Sequence, residues 1–206
     1  IDPHFLYNTL NALYWTLDEK GEEELAEIVI AMSGLFRYTI GNEKSGEWVT
    51  IQAALEQIDR YLQIMKMRLG DRLVAEIIVT PELLNIKIPK LLIQPLVENA
   101  IMHGIENSRA HGSVIVKIQR IGNTSNIQVT VEDNGPGIDK DTLKTLNLAI
   151  KNDNVSSFKG MGMALTNVNK RIKLYYDGYG LKGLRLKSEV GKGTMVIFEI
   201  PDKGGE

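Results

Sequence analysis

Apolar residues recur at helical spacing through the first third of the chain. Phe5, Leu6, Leu10, Leu13 and Leu17, with Thr9, mark one stripe, and Leu25, Ile28, Val29, Met32, Leu35 and Phe36 mark a second. Glu22, Glu23 and Glu24 open the second run, where the partial positive charge of a helix N-terminus favours acids. The joint, DEKGEE, is short and contains Gly21, which predicts an antiparallel helical hairpin. A polar loop over 41–48 follows. Thr50 then stands where a third helix, 51–71, needs an N-cap.

From Leu73 the period changes. LVAEIIVT reads as a strand, Pro81 and Pro89 punctuate a loop, and 90–105 reads as a mostly apolar helix. The runs 114–121 and 126–133 are β-branched and alternating, and GNTS joins them as a hairpin. Helical patterns cover 139–154 and 163–176, and 184–200 forms a second hairpin about GKG. The pattern predicts an α+β chain: a helical region over 1–72, then a two-layer α/β sandwich over 73–206, with antiparallel strands on one side and helices on the other.

Composition narrows the chemistry. The 206 residues include no cysteine, which excludes disulfides, cysteine-based zinc sites and a thiol nucleophile. The net charge of −2 comes from intermixed acids and bases, so no basic nucleic-acid surface is expected. No apolar run is long enough to span a bilayer. A chain that opens on Ile is expected to be a piece of a longer protein.

Three short motifs carry candidate chemistry. In VTVEDNGPGI an apolar strand ends in Asp133, followed by Gly135 and Gly137. An acid there can accept a hydrogen bond from an exocyclic amino group, and the glycines let backbone lie close to a flat ligand. In KGMGMALTNV, Gly160 and Gly162 precede a helix whose N-terminus suits phosphate. In QPLVENAIMHG, Asn99 and His103 lie four apart on one helix face beside Glu98. Asn99 offers a neutral oxygen to Mg²⁺, and His103 can reach a phosphate. Taken singly, each motif is equally met by an ordinary turn, a flexible loop or a solvated helix edge.

Their order resembles the Bergerat-type ATP-binding fold of the GHKL superfamily, with VENA as the N-box, EDNGPGI as the G1 box and GMGMAL as the G2 box. The resemblance covers roughly 73–201. It implies Mg²⁺-ATP, Asp133 on the adenine amino group and Asn99 on Mg²⁺. Gly135, Gly137, Gly160 and Gly162 would shape the pocket, with Leu165 in the G2 box, Lys159 toward phosphate and Thr194 supporting the adenine side. It also implies a mobile lid between Asp139 and Lys159.

The first helix decides among the superfamily's chemistries. DPHFLYNTLNAL is similar to the H-box of sensor histidine kinases of the LytS/YesM-like group, and YLQIMKMRLGDRL and PKLLIQPLVENAIMHGI are also similar to that group. The resemblance implies that His4 is the phosphoacceptor, next to Pro3 in the first turn. Asn8, one turn along, would orient water for removing phosphate from a response regulator, and Asp2 or Glu98 would serve His4 as base, since Phe5 stands where many such kinases carry an acid. It implies a homodimer through the helical hairpin, a response-regulator partner, and a membrane sensor anchored upstream of Ile1. Met102 departs from the Lys common in the group. Two other readings stay open: a GHKL-type ATPase in which Glu98 activates water, and a non-catalytic nucleotide-binding or dimerisation module.

Overall fold

A computed structural model describes residues 3–40, 47–106, 111–122, 124–152 and 161–202. Helices α1 (Pro3–Glu19) and α2 (Glu23–Ile40) form the expected hairpin, and Glu22 N–H returns to Leu17 C=O at 3.0 Å to close the joint. Leu10, Ala26, Val29 and Ala31 are buried between and beneath them. A three-residue strand, β1 (Trp48–Thr50), leads into α3 (Ile51–Leu69).

Thr50 caps α3: its hydroxyl accepts the Ala53 N–H at 3.1 Å. Thr50→Ala leaves that donor without its partner and lowers stability by about 1 kcal/mol, measured as a shift in the urea midpoint with unchanged slope. Ile51, Ala54, Leu55, Ile58, Leu62 and Met65 repeat every three or four residues and form the buried stripe of α3. That stripe lies in one continuous core with the sheet that follows.

The remaining strands are β2 (Leu73–Val79), β3 (Lys87–Pro89), β4 (Gly112–Arg120), β5 (Asn126–Asp133), β6 (Arg185–Glu189) and β7 (Gly193–Pro201). Five make one sheet in the order β2-β4-β5-β7-β6, and β1 pairs with β3 apart from it. Helices α4 (Gln94–Asn99), α5 (Lys140–Lys151) and α6 (Met161–Tyr175) complete the domain. The inward faces of β4, β5 and β7 carry Val116, Val129 and Phe198, all buried and in one core with Leu96 of α4, Ile150 of α5 and Ile172 of α6. The layer reading therefore holds.

Three details differ from expectation. The sheet is not wholly antiparallel: β2 runs parallel to β4, with Leu73 opposite Gly112 and Val79 opposite Ile118. The segment between Pro81 and Pro89 is not only loop, since Thr50, Val49 and Trp48 pair with Lys87, Ile88 and Pro89. And the helix expected from Lys90 begins only at Gln94, then widens into a π-helix over Ala100–Ile105.

Candidate functional site

The site grows out of the end of β5. Ile127, Val129 and Val131 occupy successive inward positions and are almost fully buried. The next inward position holds Asp133, 8% exposed. A carboxylate thus sits where period-two patterning would put another apolar residue. One of its oxygens accepts the Gly135 N–H at 2.8 Å, and the backbone N–H of Thr194, its partner across β7, also points at it. Burial raises the Asp133 pKa above the ordinary carboxylate value, with nearby Glu132 adding to the rise, while those two N–H groups and His103 oppose it.

The turn after Asp133 packs directly on the helix that faces it. A Cβ on Gly135 would fall 2.4 Å from the Gly104 Cα, and a Cβ on Gly104 would fall 2.7 Å from the Asp133 carboxylate. Gly137 has φ +71°, and a Cβ there would lie 2.0 Å from the Glu189 carbonyl oxygen. The wide π-turn, whose Glu106 N–H reaches Ile101 C=O at 2.9 Å, brings Gly104 to this contact. Gly104→Ala pushes the Asp133 carboxylate out of place. Calorimetric titration with ADP is expected to show at least a tenfold loss of affinity.

Asn99 and His103 line the same cleft as Asp133, Gly137, Ile138 and Thr194, over a floor of Val131 and Val196. Ser188, which sequence reasoning did not single out, fastens one wall. Its hydroxyl accepts the Ile138 N–H at 2.8 Å and donates to Gly193 C=O at 2.7 Å. Its single proton is then used, so the Thr194 hydroxyl donates to it across 2.9 Å. Asn134 ties the turn to β4 by accepting the Ser113 N–H. Two more asparagines anchor the surrounding helices: Asn147 of α5 bonds both backbone groups of Leu186, and Asn169 of α6 bridges Ile150 C=O and Leu184 N–H. No local pattern marks them; each matters because of where its helix lies.

The cleft thus joins a buried carboxylate, an apolar floor, glycines whose missing side chains let neighbouring backbone pack close around it, and an amide and an imidazole on its lining. That set suits a planar heterocycle with an amino group, attached to an anionic tail. Among the described residues no three His, Asp or Glu side chains cluster to hold a metal ion. The donor chemistry still fits Mg²⁺, which takes most of its oxygens from phosphate and water and needs only the Asn99 amide oxygen here.

Other expected site residues lie elsewhere. Glu98 does not line the cleft: its carboxylate accepts from Gln94 Nε2 at 2.8 Å, and with Glu106 it raises the Tyr61 hydroxyl on α3, after burial, to about 12. Leu165 is fully buried in α6 and Gly162 stands in that helix's first turn. Lys159 and Gly160 fall outside the described residues. The stretch 139–159 begins as α5, capped by Asp139 through the Asp141 and Thr142 N–H groups. His4 lies in the first turn of α1, its side chain outside what is described, and Asn8 is exposed one turn further on.

Two family models match successive stretches of the chain. The family model described as histidine kinase matches residues 1–73, and that described as histidine kinase-, DNA gyrase B-, and HSP90-like ATPase matches 85–204. Sensor histidine kinase YpdA of Escherichia coli is 36% identical over 203 residues, 98% of this chain and 33% of that protein. Sensor histidine kinase YesM of Bacillus subtilis is 33% identical over 98% of this chain and 32% of its own length. Sensor histidine kinase/phosphatase LytS of Staphylococcus aureus is 30% identical over 99% of this chain and 31% of its length. The chain spans about a third of these relatives. Among solved structures, the histidine kinase domain of a blue-light activated kinase from Erythrobacter litoralis aligns over 96% of this chain and 95% of its own, with TM-score 0.52 and 16% identity. The catalytic domain of histidine kinase ThkA aligns over 76% of this chain and 99% of its own, with TM-score 0.52 and 20% identity. These two likenesses concern the fold.

Proposed function

The chain belongs to the histidine kinases, in a LytS/YesM-like group, and from that premise we propose that it is the core of a two-component sensor that phosphorylates His4 from Mg²⁺-ATP. The observation that carries the reading is the buried carboxylate of Asp133 over an apolar floor, with Asn99 and His103 lining the same cleft. Asp133 accepts the adenine amino hydrogen. Gly135 and Gly137 keep the wall flat, and Thr194 braces it. Asn99 holds Mg²⁺, which neutralises phosphate charge when bound, and His103, with Lys159 and the Gly160–Gly162 turn, faces the phosphates. A neutral imidazole nitrogen of His4 donates its lone pair to the γ-phosphorus as the bond to ADP breaks, and the imidazole proton passes to a carboxylate or water. The phosphoryl group then moves to an aspartate of a response regulator. Asn8 orients the water that later removes it.

A hydrolytic reading in which Glu98 activates water is not favoured, because Gln94 holds that carboxylate outside the cleft. Exposed Leu13 and Leu25 on the hairpin support pairing into a homodimeric four-helix bundle. No described helix is long and apolar enough to cross a membrane. The test is incubation with γ-labelled Mg²⁺-ATP. Protein-bound label that is acid-labile and alkali-stable supports the kinase. Inorganic phosphate release with no bound label refutes it.

A further inference from the structure

A second cleft, far larger than the space beside Asp133, opens where the α1–α2 hairpin meets α3 and β1. Its volume is about 640 Å³, within the range of small-molecule sites. Leu10 and Trp15 of α1, Val29 of α2 and Val49 of β1 supply apolar walls. Two nearly buried polar side chains are among its lining: Ser33 of α2, 6% exposed, and Gln57 of α3, 8% exposed. Neither the Ser33 hydroxyl nor the Gln57 carbonyl oxygen has a hydrogen-bond partner. An oxygen left unpaired in an interior has given up its hydrogen bonds to water without replacing them, so a donor brought to it is favoured. Arg60, one turn after Gln57, adds a guanidinium. Gly34 makes room for it: a Cβ there would lie 3.0 Å from the Arg60 Cδ.

We propose that this cleft is a binding site for a small amphipathic organic anion, with an aromatic body on the apolar walls, an N–H or O–H donor to Gln57 and Ser33, and an acidic group on Arg60. Such a ligand sits between the hairpin that carries His4 and the helix continuous with the nucleotide domain's core, so its occupancy fixes the two relative to one another. The binding claim does not depend on the kinase reading.

The probe is 8-anilinonaphthalene-1-sulfonate, which has an aromatic body, one N–H and one sulfonate. With the full chain, saturable binding of one probe per protomer is expected, undiminished by saturating ADP. Arg60→Gln and Gln57→Leu should each weaken it about tenfold, and Gln57→Leu, which removes an unpaired polar group, should keep the native circular dichroism and melting temperature. Displacement by ADP, non-saturable uptake, or an affinity in either variant equal to that of the unsubstituted chain overturns the proposal. So does a dimer that takes up no probe because the second copy covers Trp15.

Discussion

His4→Gln abolishes label transfer from Mg²⁺-ATP while leaving ADP affinity unchanged. The glutamine amide is of similar reach but its nitrogen lone pair is delocalised into the carbonyl, so it cannot form the N–P bond. The cleft proposed for the nucleotide, by contrast, is lined by residues between Leu96 and Val196, none of them on α1. Loss of transfer together with loss of ADP binding would mean that the hairpin supports the nucleotide domain, and the assignment of His4 would fall. Retained transfer would place the phosphoryl group on another side chain.

Asp133→Asn separates binding from stability. If Asp133 accepts the adenine amino hydrogen as proposed, the amide keeps one acceptor but brings two N–H hydrogens to a place where adenine also donates, so ADP affinity is expected to drop about a hundredfold, ~2.7 kcal/mol. Stability moves differently. Burial raises the Asp133 pKa in the folded chain, so the folded state binds its proton more tightly than the unfolded state does. The penalty of burying the charge is therefore absent below the ordinary aspartate pKa. It grows as pH rises through the window up to the raised value, and is fully present above it. The neutral variant escapes that penalty. Near neutral pH it melts no lower than the parent, and it lacks the parent's stabilisation on mild acidification. Thermal melts of the nucleotide-free chains across that window test this. A marked destabilisation of the variant at neutral pH would show that the carboxylate serves the fold rather than the ligand.

Elements with a strong period were legible in the sequence. The stripes of α1, α2 and α3, the alternating β4 and β5, and the Thr50 cap all follow local rules, and the structure keeps them. Local rules carry no information on strand direction, because the apolar alternation of Leu73–Val79 reads the same parallel or antiparallel. Strands β1 and β3, three residues each, are too short to show a period. At the site, the motifs brought forward Asp133, Gly137, Asn99, His103 and Thr194, which the fold gathers into one cleft. Glu98, adjacent in sequence to Asn99, turns instead toward Tyr61, because neighbours on a helix point about 100° apart. Gly104 and Ser188 went unmarked because their roles exist only across the gap between elements distant in the chain.

The parallel pairing of β2 with β4 has a consequence for the order of assembly. The β4–β5 and β6–β7 hairpins close over short loops, but β2 reaches β4 only after the chain from 80 to 111 has folded back as a crossover. Closing that long loop is slow relative to a hairpin. The crossover contains the helix bearing Asn99 and His103, so the wall of the cleft they form is expected to be among the last parts to lock. A nucleotide held there stabilises contacts absent from the folding transition state. Saturating ADP should therefore slow unfolding of the chain and leave its refolding rate nearly untouched.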